Sequence, residues 1–426
     1  MDILSGTLTF ISEHANDDVR RLALTAKRDD SVDLPFALDQ IAGRQKARTK
    51  LPSWFACEGL IYPPHISMEQ CSSETTSLYK RNVADRILSL AIPNEKMRHD
   101  ATLIDCTGGF GVDFSFLARA FAHSLYIERQ QHLCDIASHN LPLLGLTEAQ
   151  VLCRDAEEVM HDVSSVAGDN PVVVFIDPAR RDINGRRTYA IADCTPDILR
   201  FIDTLSKDCE AIIIKLSPML DWHATVSDIC KACGDDVVRE VHIVSTGNEC
   251  KELLIVVSRR YSEPLRIFCV NDESIYSFDA GNERGKEMNE APGTPLPYPI
   301  GSEEDGKRYL LVPNASVMKA GCFDILSSTF RIQQISDNSH LFISKETTND
   351  FPGKVFDIKA VSTMNKKELR KNLSGITQAN ISTRNFPLSP DQLRKRLKMK
   401  DGGSTFIFAT TSQKGDHLLY ITQPID

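Results

Sequence analysis

No apolar run near the start of the chain is long enough for a signal peptide or a membrane span, because the opening MDILSGTLTFISEH is short and soon acidic. The cytoplasm is therefore the expected compartment, with no membrane partner. Cysteine pairs are scarce too. The 12 cysteines are scattered through apolar stretches, as at Cys106, Cys134 and Cys153, the distribution of buried reduced thiols rather than of a disulfide framework. Only Cys230 and Cys233 have metal-like spacing, and without a second pair nearby no metal site is expected. Against these absences, 42% of the 426 residues are hydrophobic, enough for about two to four packed domains.

The densest signal is LIDCTGGFGVD at residues 103–113, an apolar run that ends in Asp105, turns through Gly108, Gly109 and Gly111, and enters a helix near Asp113. Glycines lack a Cβ and reach left-handed angles cheaply, so such a turn lets a nucleotide-like ligand approach the backbone. It lacks the Lys-Ser/Thr pair of a phosphate loop, which argues against phosphoryl transfer. Four more short apolar runs follow, separated by helix-compatible segments: LYIE ending in Glu128, VLC at 151–153 leading to Asp155, PVVVFIDPARR carrying Asp177 and Pro178, and AIIIKLSP at 211–218. The alternation predicts a parallel sheet covered on both faces. Glu128 closes the second strand where a ribose is bound in such units. Asp155 stands where it reaches an adenine amino group or, alternatively, caps the helix that begins AEEVM.

The last strands of this region separate two superfamilies. VVREVHIV (237–244) and KELLIVVS (251–258) are joined only by STGNEC, too short for a parallel crossover, so an antiparallel hairpin is predicted. A dinucleotide-binding dehydrogenase would continue in parallel units. Over residues 66–258 the chain instead resembles the class I S-adenosylmethionine-dependent methyltransferases, whose seven-strand sheet ends in such a hairpin. The resemblance implies S-adenosylmethionine as cofactor, bound by Asp105, Gly109, Gly111, Glu128 and Asp155, with Thr107 standing where the family's first glycine is usual. It makes Asp177 and Pro178 the start of the catalytic loop. In these enzymes the segment ahead of the first strand folds over the methionine end of the cofactor, which makes Gln70, Ser73 and Lys80 candidates for that contact. Helix capping and surface charge are their plainer explanations.

Residues 1–90 read as helical: ISEHANDDVRRLALTA and PFALDQIAGRQKARTKL have apolar residues at helical spacing. PSWFACEGLIYPP reads as a loop, and a helix capped near Ser72 or Ser73 follows. Beyond the hairpin, residues 262–310 are rich in Gly, Pro, Glu and Asn. YLLVPNASVMKAGCFDILSSTF then predicts a strand and an amphipathic helix, and HLFISKE another strand. From residue 353 onward the pattern is strand, helix, short strand, helix and a final strand pair. Charge is segregated in this tail: residues 354–400 carry twelve Lys or Arg against three Asp or Glu, while the whole chain sums to −9. Lys366, Lys367, Arg370 and Lys371 fall in one helix-compatible stretch, and Arg394, Lys395, Arg396 and Lys398 in the other. Two basic helices on an acidic protein are an electrostatic footprint of nucleic-acid binding, with two solvated helix faces as the plain alternative.

This terminus resembles THUMP-like domains, the RNA-binding modules of several tRNA- and rRNA-modifying enzymes. The whole chain resembles a bacterial methyltransferase family in which a ferredoxin-like domain precedes a THUMP-like one. The expected fold class is α/β, a Rossmann-like class I methyltransferase sheet with a helical N-terminal region and C-terminal α+β domains. The expected domains are helical 1–90, S-adenosylmethionine-binding 91–260, ferredoxin-like 261–352 and THUMP-like 353–426, the last a separable RNA-binding module.

The expected reaction is methylation of a base in tRNA or rRNA, with no DNA partner. An exocyclic amine is favoured, because Asp177 and the carbonyl of Pro178 would accept hydrogen bonds from it. In related amine-methylating motifs an aromatic residue follows two prolines. Here Ala179 and Arg180 take those places, and a guanidinium plane also stacks on a base. Arg181, Arg186 and Arg187 crowd the same loop, either as phosphate contacts or as partners of Asp182 or Asp193. The absence of cysteine from this motif argues against carbon methylation of a pyrimidine. Two other functions remain open at this point. One is a small-molecule or protein methyltransferase whose basic tail docks an acidic partner, the other a catalytically inactive RNA-binding protein.

Overall fold

The computed structural model describes residues 4–26, 29–180, 190–282 and 308–425. It divides into two compact units, Met1–His242 with Lys251–Glu263, and Ile243–Cys250 with Pro264–Asp426. In the first unit the five apolar runs form β1 (Thr102–Asp105), β2 (His123–Glu128), β3 (Gln150–Cys153), β4 (Val172–Ile176) and β7 (Ala211–Leu216). Between β4 and β7, β5 (Ala179–Arg180) pairs antiparallel with β6 (Cys194–Thr195). β1 pairs in parallel with β2 and β4, β2 with β3, and β4 with β7. β4 is buried at every residue, which is why VVVFI is unbroken rather than alternating: a central parallel strand is covered on both faces.

The hairpin of β8 (Val238–Thr246) and β9 (Glu249–Val257) extends the order to β8-β9-β7-β4-β1-β2-β3, with β9 antiparallel to β7. The link is shorter than STGNEC. Only Gly247 and Asn248 turn, both at positive φ (58° and 63°), as a two-residue hairpin requires. One core runs through the sheet, where Leu103, Tyr126, Phe175, Ile213 and Val256 meet Val83, Ile87 and Leu88 of the helix Glu74–Ala91.

The N-terminal segment is helical, with two departures from its periodicity. Asp18 caps a second helix, Val19–Thr25, so the expected continuous stretch breaks after Ser5–Glu13. PSWFA, expected as loop, forms the helix Pro52–Ala56. Its cause is tertiary: Trp54 is buried with Val112 and Phe116, and its Nε1 donates to Ser115 Oγ at 3.2 Å. Burying a tryptophan outweighs the weak local preference of five residues.

In the second unit β10 (Arg266–Asn271) and β11 (Ser274–Asp279) pair antiparallel. The remaining strands are β12 (Tyr309–Pro313), β13 (Gln333–Gln334), β14 (Phe342–Ser344), β15 (Gly353–Thr363), β16 (Asn380–Arg384), β17 (Phe406–Thr411) and β18 (His417–Pro424). They form one sheet of order β13-β14-β12-β15-β18-β17-β16. The single amphipathic helix expected after β12 is two, Ala315–Ala320 and Phe323–Phe330, broken where Gly321 takes φ 75°.

Residues 353–424, within the segment expected as a separable module, share one sheet with residues 309–352. β15 is the partner of both β12 and β18. Leu310, Leu341 and Ile343 share a core with Phe356, Phe408, Leu418 and Tyr420, so a cut at residue 353 would open both sheet and core. Among the described residues no helix is long and apolar enough to cross a membrane.

Candidate active site

β1 delivers Asp105 to the carboxyl end of the sheet, where its Oδ1 accepts the Thr107 N–H at 2.9 Å. Beyond it, Gly109 and Gly111 take φ of 54° and 76°. At Gly108 a Cβ would meet the Tyr126 ring at 2.2 Å, so the turn lies on β2 only because that position has no side chain. The Tyr126 hydroxyl donates to the Gly109 carbonyl. Glu128, at the end of β2, accepts the N–H groups of Gly109 (3.2 Å) and Gln130 (2.9 Å). The glycine turn and the acid of the second strand thus come together. Thr107 has a use that the family's usual glycine would lack: its Oγ1 accepts the Asp177 N–H at 2.6 Å and ties this turn to the loop after β4. Burial pushes the Asp105 carboxyl up to about 8, aided by Asp113 and Asp177 and opposed by the Thr107 N–H.

Sequence reasoning missed the partner of Asp177. Lys215 interrupts the apolar run of β7, and its Nζ donates to Asp177 Oδ2 at 2.5 Å and to Asp113 Oδ2 at 3.2 Å. Asp113, in the first turn of the helix Val112–Leu117, also accepts from Ser77 Oγ (2.7 Å) and Ser72 Oγ (2.8 Å) and faces Lys80 Nζ at 3.1 Å. Lys80 in turn donates to both oxygens of Glu252, each at 2.7 Å. Charges of alternating sign therefore run from Asp177 through Lys215, Asp113 and Lys80 to Glu252. Burial works against the charge on Lys215, but Asp113, Asp177 and Glu252 outweigh it and hold its pKa well above the ordinary lysine value. Burial opposes the charge on Asp113 as well. Lys215, Lys80 and the two serine hydroxyls prevail there, leaving that carboxyl far below the usual range. At Glu252 burial wins, and the pKa is raised despite Lys80 and Lys215. A signal did exist, since a lysine in a central apolar strand is rarely found without an acid to face.

The segment ahead of β1 reaches this cluster through Ser72, expected only as a candidate helix cap, and Ser77, which the sequence did not single out. Lys80 is corrected: its side chain is wholly enclosed and engaged by carboxylates, not presented to an open cleft. Ser73 accepts the Thr76 N–H at 3.2 Å as N-cap of Glu74–Ala91, the plainer of its two explanations. Gln70 is exposed at the end of the helix His65–Gln70. Asp155 accepts the Glu157 N–H at 2.8 Å and caps Ala156–His161, its capping alternative. Pro178 is buried, and the Arg180 backbone pairs with Cys194. Arg181, Arg186 and Arg187 lie outside the described residues.

In the second unit the basic residues fall on the helices Lys366–Asn372 and Pro390–Leu397 and on the C-cap Lys398. Lys366, Lys367, Arg370, Lys371, Lys395, Arg396 and Lys398 are exposed. Arg394 is the exception. Its guanidinium donates to Asp391 and to Asp401, each at 2.6 Å, and Asp401 stands one position beyond the window in which the charge excess was seen.

Residues 353–424 match the THUMP domain-like family, and residues 309–352 match a ferredoxin-like domain family. The chain is similar over 100% of its length to the crystal structure of a "putative methyltransferase" from Porphyromonas gingivalis W83, with 29% identity, 98% of that chain covered and a TM-score of 0.80. Partial likenesses extend to an rRNA methylase from Streptococcus thermophilus (13% identity, 42% of this chain and 93% of that chain, TM-score 0.29). An O-methyltransferase from Bacillus cereus in complex with SAH is similar at 10% identity, over 58% of this chain and 100% of that chain, with a TM-score of 0.33. No curated protein matches the chain by sequence. The architecture is that of a class I methyltransferase sheet followed by ferredoxin-like and THUMP-like segments that share a second sheet.

Proposed function

We propose that this chain is an S-adenosylmethionine-dependent methyltransferase that modifies a base of tRNA or rRNA, with an exocyclic amine as acceptor. The observation that carries this reading is the state of Asp177. Thr107 holds its N–H, Lys215 occupies its Oδ2, and its Oδ1 makes no hydrogen bond among the described residues. Oδ1 is therefore left to accept an N–H from the target amine, with the carboxylate held in one orientation.

The residues fit the cofactor. The turn at Gly108, Gly109 and Gly111 admits close backbone approach, and Glu128 stands at the end of β2 to accept ribose hydroxyls. Three carboxylates facing two ammoniums beside that turn complement a cationic sulfonium. When bound, the cofactor supplies an electrophilic methyl group. Transfer to nitrogen is an in-line displacement, so the protein contributes alignment and exclusion of water. Lys215 fixes Asp177, and Asp177 aims the nitrogen lone pair while its hydrogen bond strengthens as positive charge develops on nitrogen. RNA as substrate is supported by the exposed cations of the helix Lys366–Asn372 and by the THUMP-like match.

One experiment tests both halves. Calorimetry with S-adenosylmethionine should give saturable binding that Glu128→Ala weakens. Asp177→Ala should keep that binding and lose methyl transfer to undermodified bulk RNA by about a hundredfold or more. A wild type that binds no S-adenosylmethionine would overturn the enzyme reading. Nucleoside mass spectrometry of RNA from a strain lacking the protein then identifies the base.

A further inference from the structure

Residues 40–57 carry Arg44, Lys46, Arg48 and Lys50 and no acidic residue, in a chain whose net charge is −9. All four lie on the helix Leu34–Lys50, and the two lysines are engaged. Lys46 pairs with Glu69 at 2.8 Å, and Lys50 donates to the carbonyls of Met68 (2.9 Å) and Glu69 (2.6 Å). Arg44 and Arg48 have neither an ion pair nor a hydrogen bond among the described residues; their guanidinium carbons stand over the ring of Phe55, 4.9 Å and 5.2 Å from its centroid. Four positions apart, the two arginines share a face of the helix, a spacing at which like charges repel. Arg48 is exposed and Arg44 partly so, and an anion reaches both without breaking any hydrogen bond of the protein. Stacking uses the flat face of a guanidinium and leaves its N–H donors at the edge for an acceptor.

The ring beneath them is fixed to the active site. Phe55 belongs to the helix Pro52–Ala56, where Ser53 donates its N–H and its hydroxyl to Glu74 Oε2 at 2.8 and 2.9 Å. Its neighbour Trp54 donates to Ser115 Oγ. Glu74 opens the helix that bears Ser77 and Lys80, and Ser115 lies on the helix that bears Asp113. The carbonyls that hold Lys50 come just before Ser72, which itself donates to Asp113 at 2.8 Å. The arginine pair is therefore mounted on the elements that place Asp113 and, through Lys215, Asp177.

We propose that Arg44 and Arg48, laid against Phe55, form a phosphate-binding platform for the RNA strand whose base enters the site, an assignment that rests on the RNA reading above. A nucleic-acid strand presents its anions in series, which suits two guanidinium forks one helical turn apart. Each fork donates parallel N–H bonds to the oxygens of a phosphate, and the bound anions relieve the repulsion between the two cations. Such contacts carry no sequence information; they fix the register of the strand relative to Asp177.

The test follows binding of bulk tRNA by fluorescence anisotropy across salt concentrations, together with methyl transfer to undermodified bulk RNA. The double variant Arg44→Gln with Arg48→Gln should weaken tRNA binding about tenfold and lower the logarithmic salt slope by roughly 0.7 to 0.9 for each phosphate no longer neutralised. The apparent KM should rise by a similar factor with kcat little changed, because neither residue touches the reacting atoms. Binding of S-adenosylmethionine should stay at the wild-type level, which separates a lost RNA contact from a damaged fold. Arg44→Lys with Arg48→Lys should keep the slope and still weaken binding, since an ammonium holds the charge without the planar fork. Unchanged slope and KM in the double glutamine variant would overturn the platform. If Lys366→Gln with Lys367→Gln then still lowers the slope, the RNA reading stands without it. A wild type that fails to bind tRNA would overturn both.

Discussion

In the first unit Lys80 and Lys215 spend their charge on Asp113, Asp177 and Glu252, whereas in the second Lys366, Lys367 and Lys371 stand exposed with no ion pair among the described residues. The same side chain does two kinds of work. An ammonium removed from water is held only where carboxylates and hydroxyls surround it, and there it fixes geometry. An ammonium left in water contributes little to the fold and keeps its charge for a partner. The contrast predicts that changes to these enclosed charges act on stability and alignment, and changes to these exposed ones on polyanion affinity.

The largest break in this contrast is Asp113→Ala. It takes one of the two carboxylates from each of Lys80 and Lys215 and leaves the hydroxyls of Ser72 and Ser77 without their acceptor, so unfolding in denaturant should show a loss of about 3 kcal/mol. Surface charge changes usually stay within about 0.5 kcal/mol. If Asp113→Ala falls in that range, the buried chain of charges does not hold the site together.

The converse variant combines Lys366→Gln, Lys367→Gln and Lys371→Gln. Stability should stay near wild type while the logarithmic salt dependence of RNA binding falls by roughly 0.7 to 0.9 for each phosphate that is no longer neutralised. An unchanged slope would reduce this helix to a solvated face.

What was legible in the sequence follows the same division. From β15 to β18 the order strand, helix, strand, helix, strand pair could be read because its signals are local: alternation, basic helix stretches, and a capping box formed by Ser389 and Gln392. The glycine turn and Glu128 were legible for the same reason. Lys215 was not, because its meaning depends on Asp113, 102 positions away, and on Asp177. The helix at Trp54 depends on Ser115 and Phe116, and the joint sheet of residues 309–424 on pairing between β12 and β15. Sequence periodicity carries none of these distant contacts.

A subtler test uses pH within the first unit. The Asp105 carboxyl is raised from 3.8 to about 8 in the fold, so the folded state holds a proton that the unfolded chain has released between those values. Its contribution to stability is fully present below about pH 4 and is lost as pH rises to about 8. Relative to wild type, Asp105→Asn should therefore gain melting temperature between pH 5 and pH 8. Asp113 has the opposite sign: its carboxyl is depressed, so its contribution is present above 3.8 and is lost as pH falls through its folded value. A constant difference between Asp105→Asn and wild type would mean that Asp105 is ionised in the fold.

The smallest expected effect sharpens the comparison inside the second unit. Arg394 and Arg396 lie on one helix, but Arg394 donates to Asp391 and Asp401 while Arg396 is exposed. A guanidinium flanked by two carboxylates presents little net positive charge to a phosphate. An RNA phosphate there would first have to displace both acids. Arg396→Gln should therefore remove about one phosphate's worth of salt slope, and Arg394→Gln distinctly less. Arg394→Gln also frees two aspartates beside the exposed cations of this helix, so what affinity it does lose should come from repulsion by those acids. The double change Arg394→Gln with Asp401→Asn should restore that loss. If Arg394→Gln alone costs as much slope as Arg396→Gln, the ion pairs open on binding, and paired and exposed cations of this unit serve the RNA alike.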